Sequence, residues 1–370
     1  MERVRDAFLI LLRSGLWGSA QSVEDFTQLT DEEWELVFRM SVRQTVTGIV
    51  FDGICRLPDG MQPSERLFAK WLAVVDGIER CNERMNVALK ALAGMFVGRG
   101  LTPVLQKGQG ISVLYPVPSH RECGDIDLYF PGNQFHRAVG MVRAGDVRTS
   151  LMPDGSHSYE WQGIDVEHHP EIVDLDSPCL RRWLAGLSED PGTIPSALAD
   201  GLSVPSPELN ALMLNAHILK HSIGKGVGLR QICDLAMVYH SIGKEGNSRE
   251  IGGRILSLYR RAGILKWSRL LHSFLVDVIG LPEEELPYPE KLVSCKPLER
   301  IVEEGGNFGQ YRTGCRHSNG GKLATVGMIL RRAGFSLRFA PDEAFWNVVK
   351  LVKGQFGSLW YSATCKGGKK

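Results

Sequence analysis

Between Gly100 and Pro170 this chain carries short runs whose apolar residues recur at every second position, whereas on either side they recur at every third or fourth. The first spacing belongs to strands and the second to helices. The chain is therefore expected to fold as an α+β protein, with a small mixed sheet set between two helical regions. The changes of spacing divide it into an N-terminal helical region over 1–98, an α/β core over 99–187 and a C-terminal helical region over 188–370.

In the first region, residues 31–45 predict a helix. Thr30 stands where an N-cap belongs, acidic residues follow, and Trp34, Val37, Phe38 and Val42 fall on one face. Residues 64–98 predict a long helix with Ser64 as cap and a stripe running from Leu67 through Trp71 to Phe96, closed by Gly98 or Gly100. In the core, 102–106 and 124–130 read as strands, a short helix-compatible piece lies between them, and a helix follows over 133–144. Residues 158–169 supply two further strands. After a Pro/Ser/Gly-rich stretch over 188–207, helices are expected over 207–222, 227–243, 248–262 and 266–278. Residues 281–321 predict a long loop with short elements, and 341–361 a last helical piece that starts at Pro341.

Composition narrows the function classes. Lys plus Arg is 43 and Asp plus Glu is 42, a net charge of +1. So even a balance supplies no bulk field for gripping a long polynucleotide or an anionic membrane. A spanning helix needs roughly 20 apolar residues, and the chain has no such run; the N-terminus lacks the pattern of a secretory signal. The 8 cysteines are scattered, with no C-x-x-C pair, so neither a disulfide framework nor a zinc ribbon is expected. A reducing compartment, the cytoplasm, fits this usage.

The chemistry centres on Asp125-Ile126-Asp127. Alternation puts both carboxylates on one face of a strand, ~6–7 Å apart along it, which suits two Mg²⁺ ions about 3.5–4 Å apart. Gly124 just before them leaves room for a ligand. Taken alone, two alternating aspartates are equally well the wet face of an edge strand. A second strand carries Asp165, Glu167 and His169 on one face, and carboxylates on neighbouring strands repel unless a cation lies between them. Glu167 is therefore the expected third carboxylate, with Asp165 competing for that place; the plainer reading has Asp165 and Glu167 solvated and His169 capping a strand end. Lys107-Gly108 follows the first strand: Gly108 opens a helix whose amides can hold phosphate, and Lys107 adds a point charge. Arg121 is a second phosphate-binding candidate.

The run from Leu105 to Phe130 (LQKGQGISVLYPVPSHRECGDIDLYF) resembles the core of the bacterial uncharacterised nucleotidyltransferase family, within the polymerase-beta-like superfamily. The matching features are the Lys-Gly pair, the aromatic-Pro segment, Arg121, the Gly-Asp-Ile-Asp-Leu run and Glu167-His168-His169. Further on, HILKH (217–221) and LRQICD (229–234) match as well. The resemblance spans about residues 90–245. It departs from the wider superfamily in having Lys-Gly where Gly-Ser is usual, and in the longer spacing to the aspartates. It implies Mg²⁺-dependent transfer of a nucleoside monophosphate from an NTP, with two ions, but leaves the acceptor undefined beyond a hint of carbohydrate; the near-zero net charge leans towards a small-molecule or carbohydrate-type acceptor more than nucleic acid. Asp125, Asp127 and Glu167 would be the metal-binding and catalytic set, and Lys107, Gly108, Arg121, Gly124, Lys220 and Arg230 the nucleotide-binding set.

Three features of 217–234 have plainer readings. His217 and His221 share a helix face, but no third zinc ligand is evident. GKGVG (224–228) lacks the phosphate-loop pattern and reads as an interhelical turn, and its neighbours Lys220, Lys225 and Arg230 equally form a basic helix surface. Asp234 is placed to pair with Arg230 one turn away. Two other functions stay open: a toxin-type nucleotidyltransferase acting on tRNA or protein, and a non-catalytic nucleotide-binding or scaffolding protein.

Overall fold

The computed structural model describes residues 2–18, 25–145, 147–152, 154–224, 226–305 and 332–350. Four helices come first: α1 Glu2–Trp17, α2 Asp31–Gln44, α3 Thr47–Ile54 and α4 Glu65–Val97. Helix α2 starts where the sequence places it. The Thr30 hydroxyl accepts the Glu33 amide at 3.3 Å and the Glu33 carboxylate accepts the Thr30 amide at 2.9 Å, a reciprocal capping box. Ser64 holds the N-cap position of α4 without a side-chain capping bond; its hydroxyl donates to Asp31 at 3.1 Å instead.

Helix α3 (TGIVFDGI) contains two glycines that lower helix propensity, and close approach explains them. A Cβ on Gly53 would lie 2.1 Å from the Leu11 carbonyl oxygen, one on Gly48 2.3 Å from that of His120. The glycines let α3 sit against the backbone of α1 and of the loop that leads to the aspartates.

The sheet has seven strands: β1 Val104–Gln106, β2 Ile126–Tyr129, β3 Ser150–Leu151, β4 His157–Trp161, β5 Ile164–His169, β6 Thr193–Pro195 and β7 Ser203–Pro205. Their order is β3-β4-β5-β2-β1-β7-β6. Pairs β2/β5 and β1/β7 are parallel and the others antiparallel, so the sheet is mixed. The β4–β5 hairpin turns at Gln162-Gly163, both with positive φ (53° and 76°), the backbone that a two-residue turn between right-twisted strands requires. Residues 188–207, expected to lead straight back into helix, supply β6 and β7. These strands are three residues long and carry Pro195 and Pro205, so period-2 patterning has almost nothing to act on.

Helices α5 Gly108–Ser112, α6 Gln134–Ala144 and α7 Arg181–Glu189 accompany the sheet. Then come α8 Pro207–Ile223, α9 Leu229–Gly243, α10 Ser248–Arg261, α11 Leu265–Phe274 with a π turn over Leu275–Ile279, and α12 Lys296–Gly305. Residues 332–339 and 341–350 are helical; the remainders of the expected 281–321 loop and 341–361 helix lie outside the described residues.

Two apolar cores divide the sheet's faces. The smaller one takes Ile126, Leu128, Phe130 and Val166 with α6 and the second half of α4. The larger one joins α1, α2, α3, the first half of α4 and α8 to α12, and reaches Val104, Ile111, Tyr115 and Tyr129. Helix α4, 33 residues and about 50 Å long, thus belongs to both. The alternation in β2 is as expected, but its aspartate face is covered rather than wet: Asp127 is only 6% exposed. Among the described residues no helix is long and apolar enough to cross a membrane, and the six described cysteines are all free.

Candidate active site

Strand register builds the centre of the site. Parallel pairing of β2 with β5 sets Asp127 opposite Glu167, while Gln106 of β1 flanks Asp127 on the other side. His169, two residues beyond Glu167, emerges on the same face. Its Nε2 lies 2.6 Å from Asp127 Oδ1 and 3.9 Å from Glu167 Oε2. One ligand atom each from Asp127, Glu167 and His169 falls within 4.8 Å of the other two, which makes this the acidic/imidazole group among the described residues that could hold a metal ion. The Ser156 hydroxyl lies against both Glu167 and Asp154 and has one proton to share between them.

Asp125 sits at the entrance, exposed to solvent. With Glu160, Asp165, Glu167, Arg148, Ser150 and Ser158 it lines a cleft of about 390 Å³. By extension of the β2/β5 register, Asp165 is the neighbour of Asp125 as Glu167 is of Asp127. Asp165 lies outside the group of three, on the cleft wall.

Lys107 closes the site from the β1 side. Its backbone has φ 50° and ψ −147°, a conformation that costs a non-glycine residue of order 1–3 kcal/mol and recurs at functional sites. Gly108 follows with φ +40°, its Cβ direction 3.5 Å from the Asp125 carbonyl oxygen. This turn places Lys107 Nζ 3.8 Å from Asp127 Oδ1. Helix α5 has only five residues, so few peptide dipoles align behind Gly108, fewer than the phosphate-holding helix end expected there would supply.

The charges shape one another. Burial alone would raise the Asp127 carboxyl, but the Lys107 ammonium and the His169 hydrogen bond outweigh it and hold Asp127 well below the usual carboxylate range. Asp125 is pushed up to about 6, first by the Asp127 charge and then by burial. Because its side chain is open to water, the like charge is the stronger physical cause. Burial works against the Lys107 ammonium, yet Asp127, Asp125 and Glu167 raise its pKa overall. A divalent cation would relieve the repulsion that lifts Asp125, so the donor set fits one.

The other expected residues are held by partners within the protein or stand exposed. Arg121 is 4% exposed, and its Nε and Nη2 fork onto Asp234 at 3.1 and 2.5 Å, while Nη1 donates to the Glu122 carbonyl and Cys123. The Tyr115 hydroxyl also donates to Asp234, at 2.8 Å. Arg121 is thus a buried strut between α9 and the loop before Asp125, with its donors spent within the protein. For the same reason Asp234 does not pair with Arg230. Arg230 donates to the Glu122 carbonyl at 2.8 Å, and its Nε is buried without a hydrogen-bond partner. Lys220 is ion-paired with Asp174 and lies 3.9 Å from Asp176, on the loop after β5. Gly124 is exposed, with nothing within 4 Å of a Cβ placed there. Lys225 lies outside the described residues.

His217 and His221 have ring centroids 4.3 Å apart. Burial, then the charges of Lys107, His221 and His169, keep His217 well below its ordinary pKa and hence neutral. Among the described residues neither joins a three-ligand group. Sequence reasoning put His169 on the face of Glu167 by period 2 but did not count it in the cluster with Asp127 and Glu167. It also missed His120, whose ring bridges Asp52 at 2.7 Å and Glu79 at 3.1 Å; no local pattern announces contacts 68 and 41 residues apart.

Among proteins of curated function, none matches the chain. The crystal structure of an antigenic nucleotidyltransferase-like protein from Paracoccidioides brasiliensis is similar over 54% of this chain and 93% of that one, at 12% identity and a TM-score of 0.32. The family described as uncharacterised nucleotidyltransferase matches residues 30–274, from the cap of α2 through the last residue of α11. The match takes in the whole sheet and every residue of the site, and the chain belongs to that family.

Proposed function

We propose that the protein transfers a nucleoside monophosphate from an NTP to the hydroxyl of a small acceptor and releases pyrophosphate. The observation that carries this reading is the register of β2 and β5, which sets Asp127 against Glu167 with Asp125 at the mouth of the adjoining cleft. Two divalent ions, Mg²⁺ by the hardness of the carboxylates, would supply charge neutralisation for the triphosphate when bound. Asp125, Asp127 and Glu167 are the residues that would hold them. Lys107, anchored 3.8 Å from Asp127, is placed to meet phosphate oxygens as a point charge. Arg230 stands close enough to Asp125 to influence its charge and keeps an unpartnered Nε, which suits a second phosphate contact.

The cleft of about 390 Å³ beside Asp125 and Glu167 is the acceptor seat. Its size suits a small molecule. Its walls carry Asp125, Glu160, Asp165 and Glu167 against Arg148, a balance that repels a polynucleotide backbone. The acceptor oxygen attacks the α-phosphorus in line, Glu167 takes its proton, and the bond to pyrophosphate breaks. Positioning and charge neutralisation supply most of the rate. The test is incubation of the protein with labelled NTPs, Mg²⁺ or Mn²⁺ and small-molecule extracts. Labelled product and pyrophosphate are expected. Absence of transfer with every NTP, or transfer undiminished in Asp127→Asn, would refute the reading.

A further inference from the structure

We infer that His169 is a metal ligand, and that the position it shares with Asp127 and Glu167 takes a first-row transition ion such as Mn²⁺ in preference to Mg²⁺. The inference rests on the proposed reading and deepens it: the two cation positions are chemically unlike. One, between Asp125 and Asp127, offers carboxylate oxygen alone. The other adds an imidazole nitrogen.

Geometry carries the argument. Ligand atoms around an octahedral ion at about 2.1 Å are about 3.0 Å apart when adjacent and about 4.2 Å apart when opposite. Here His169 Nε2 stands 2.6 Å from Asp127 Oδ1 and 3.9 Å from Glu167 Oε2, and all three ligand atoms fall within 4.8 Å. Modest movements of the side chains bring them around one ion. Backbone fixes the positions, since Asp127 and Glu167 are register partners and Tyr129 and His169 are the next such pair on that face. The imidazole is half-buried beside a 6%-exposed carboxylate, not on a flexible surface arm. The adjacent His168 is fully buried on the opposite face, where its Nε2 meets the Tyr159 hydroxyl at 2.9 Å, so it cannot substitute.

In the metal-free protein His169 Nε2 is hydrogen-bonded to Asp127 Oδ1 at 2.6 Å. Ligation needs that nitrogen's lone pair, and the proton must then sit on Nδ1. Imidazole is a poor partner for Mg²⁺, which demands hard oxygen, and a good one for transition ions. Mixed carboxylate and imidazole ligation therefore tilts this position away from Mg²⁺.

The experiment uses the full chain stripped of metal by a chelator and reloaded with Mn²⁺ alone. Electron spin-echo spectroscopy should show coupling to a directly bound ¹⁴N, changing to the ¹⁵N pattern when the chain is grown with ¹⁵N-histidine. The coupling should vanish in His169→Ala and His169→Gln while Mn²⁺ still binds more weakly. Competition titration should find Mn²⁺ bound at least about tenfold tighter than Mg²⁺ by the wild type, a ratio that falls in both variants. Bound Mn²⁺ without nitrogen coupling, coupling that persists in the variants, or equal affinities would overturn the inference. The labelled wild type decides the point without any substitution, should a variant fail to fold. Nitrogen coupling without nucleotide transfer would sink the reaction and leave the ligand standing; transfer without coupling would do the reverse.

Discussion

The Arg121–Asp234 fork offers a sharp test, because the strut reading and the phosphate-ligand reading predict opposite results. Asp234→Leu leaves the Arg121 guanidinium, 4% exposed, with no counter-charge. Breaking one side of a buried ion pair costs about 3–5 kcal/mol, and the Tyr115 hydroxyl, which also loses its acceptor, adds about 1 kcal/mol. Arg121→Met/Asp234→Leu removes both charges and leaves only the hydroxyl unmatched, so the double variant should recover about 2–3 kcal/mol relative to the sum of the single variants. Urea unfolding followed by tryptophan fluorescence, with 8 tryptophans in the chain as reporters, measures each corner of the cycle. The double variant should also keep its nucleotide affinity to within a few-fold, since the Arg121 nitrogens donate to Asp234, the Glu122 carbonyl and Cys123. A cost below about 1 kcal/mol for Asp234→Leu, or additivity within about 0.5 kcal/mol, would refute the strut. Loss of nucleotide affinity in the folded double variant would restore Arg121 to the phosphate site.

Other outcomes follow from the same geometry. Asp125→Asn should stabilise the metal-free protein at pH 7.5 by about 1 kcal/mol, a figure discounted for the exposure of this carboxylate. A carboxyl raised to about 6 in the folded state binds its proton more tightly there than in the unfolded chain. Its ionisation therefore costs stability as pH rises from about 4 through 6, and the gain from Asn should vanish below about pH 4; a pH-independent gain would contradict this. Lys107→Ala should weaken NTP affinity about 10–100-fold, as loss of one charge-assisted phosphate contact does, measured by calorimetry; unchanged affinity would remove Lys107 from the site. Gly48→Ala drives a methyl to 2.3 Å from the His120 carbonyl and should cost about 1–3 kcal/mol in urea unfolding. Mn²⁺ at 100 times its dissociation constant should raise unfolding free energy by about 2.7 kcal/mol, and Asp127→Asn should abolish most of that gain.

What the sequence made legible was what period and capping encode. Thr30 and the acidic residues after it announced α2, and the alternation of β2 and β5 placed Asp125, Asp127, Glu167 and even His169 on strand faces before any fold was known. Lys107 was found through its glycine neighbour. The buried partners of cations stayed hidden. Arg121, Lys220 and Arg230 are basic residues near a phosphate-binding pattern, and nothing local reveals that Asp234, 113 residues away, claims the first or that Asp174 claims the second. Strands β6 and β7 escaped because a three-residue strand containing proline is defined by its neighbour, not by its own side chains. Helix α3 was obscured by glycines that serve packing against α1.

The contacts of α1 have a consequence for synthesis. Its apolar residues can settle on α2 and α3 early. Arg13 donates to the carbonyls of Asp277 and Val278, Trp17 to that of Ile279, and Arg5 pairs with Glu299 and Glu303. Arg13 must therefore wait for a partner 265 residues downstream, which at roughly 5–20 residues per second takes about 13–50 s. Through that interval the nascent chain holds an open hydrophobic seam on its first helices, so translation speed and chaperone access over this window should set how much of the protein reaches the folded state.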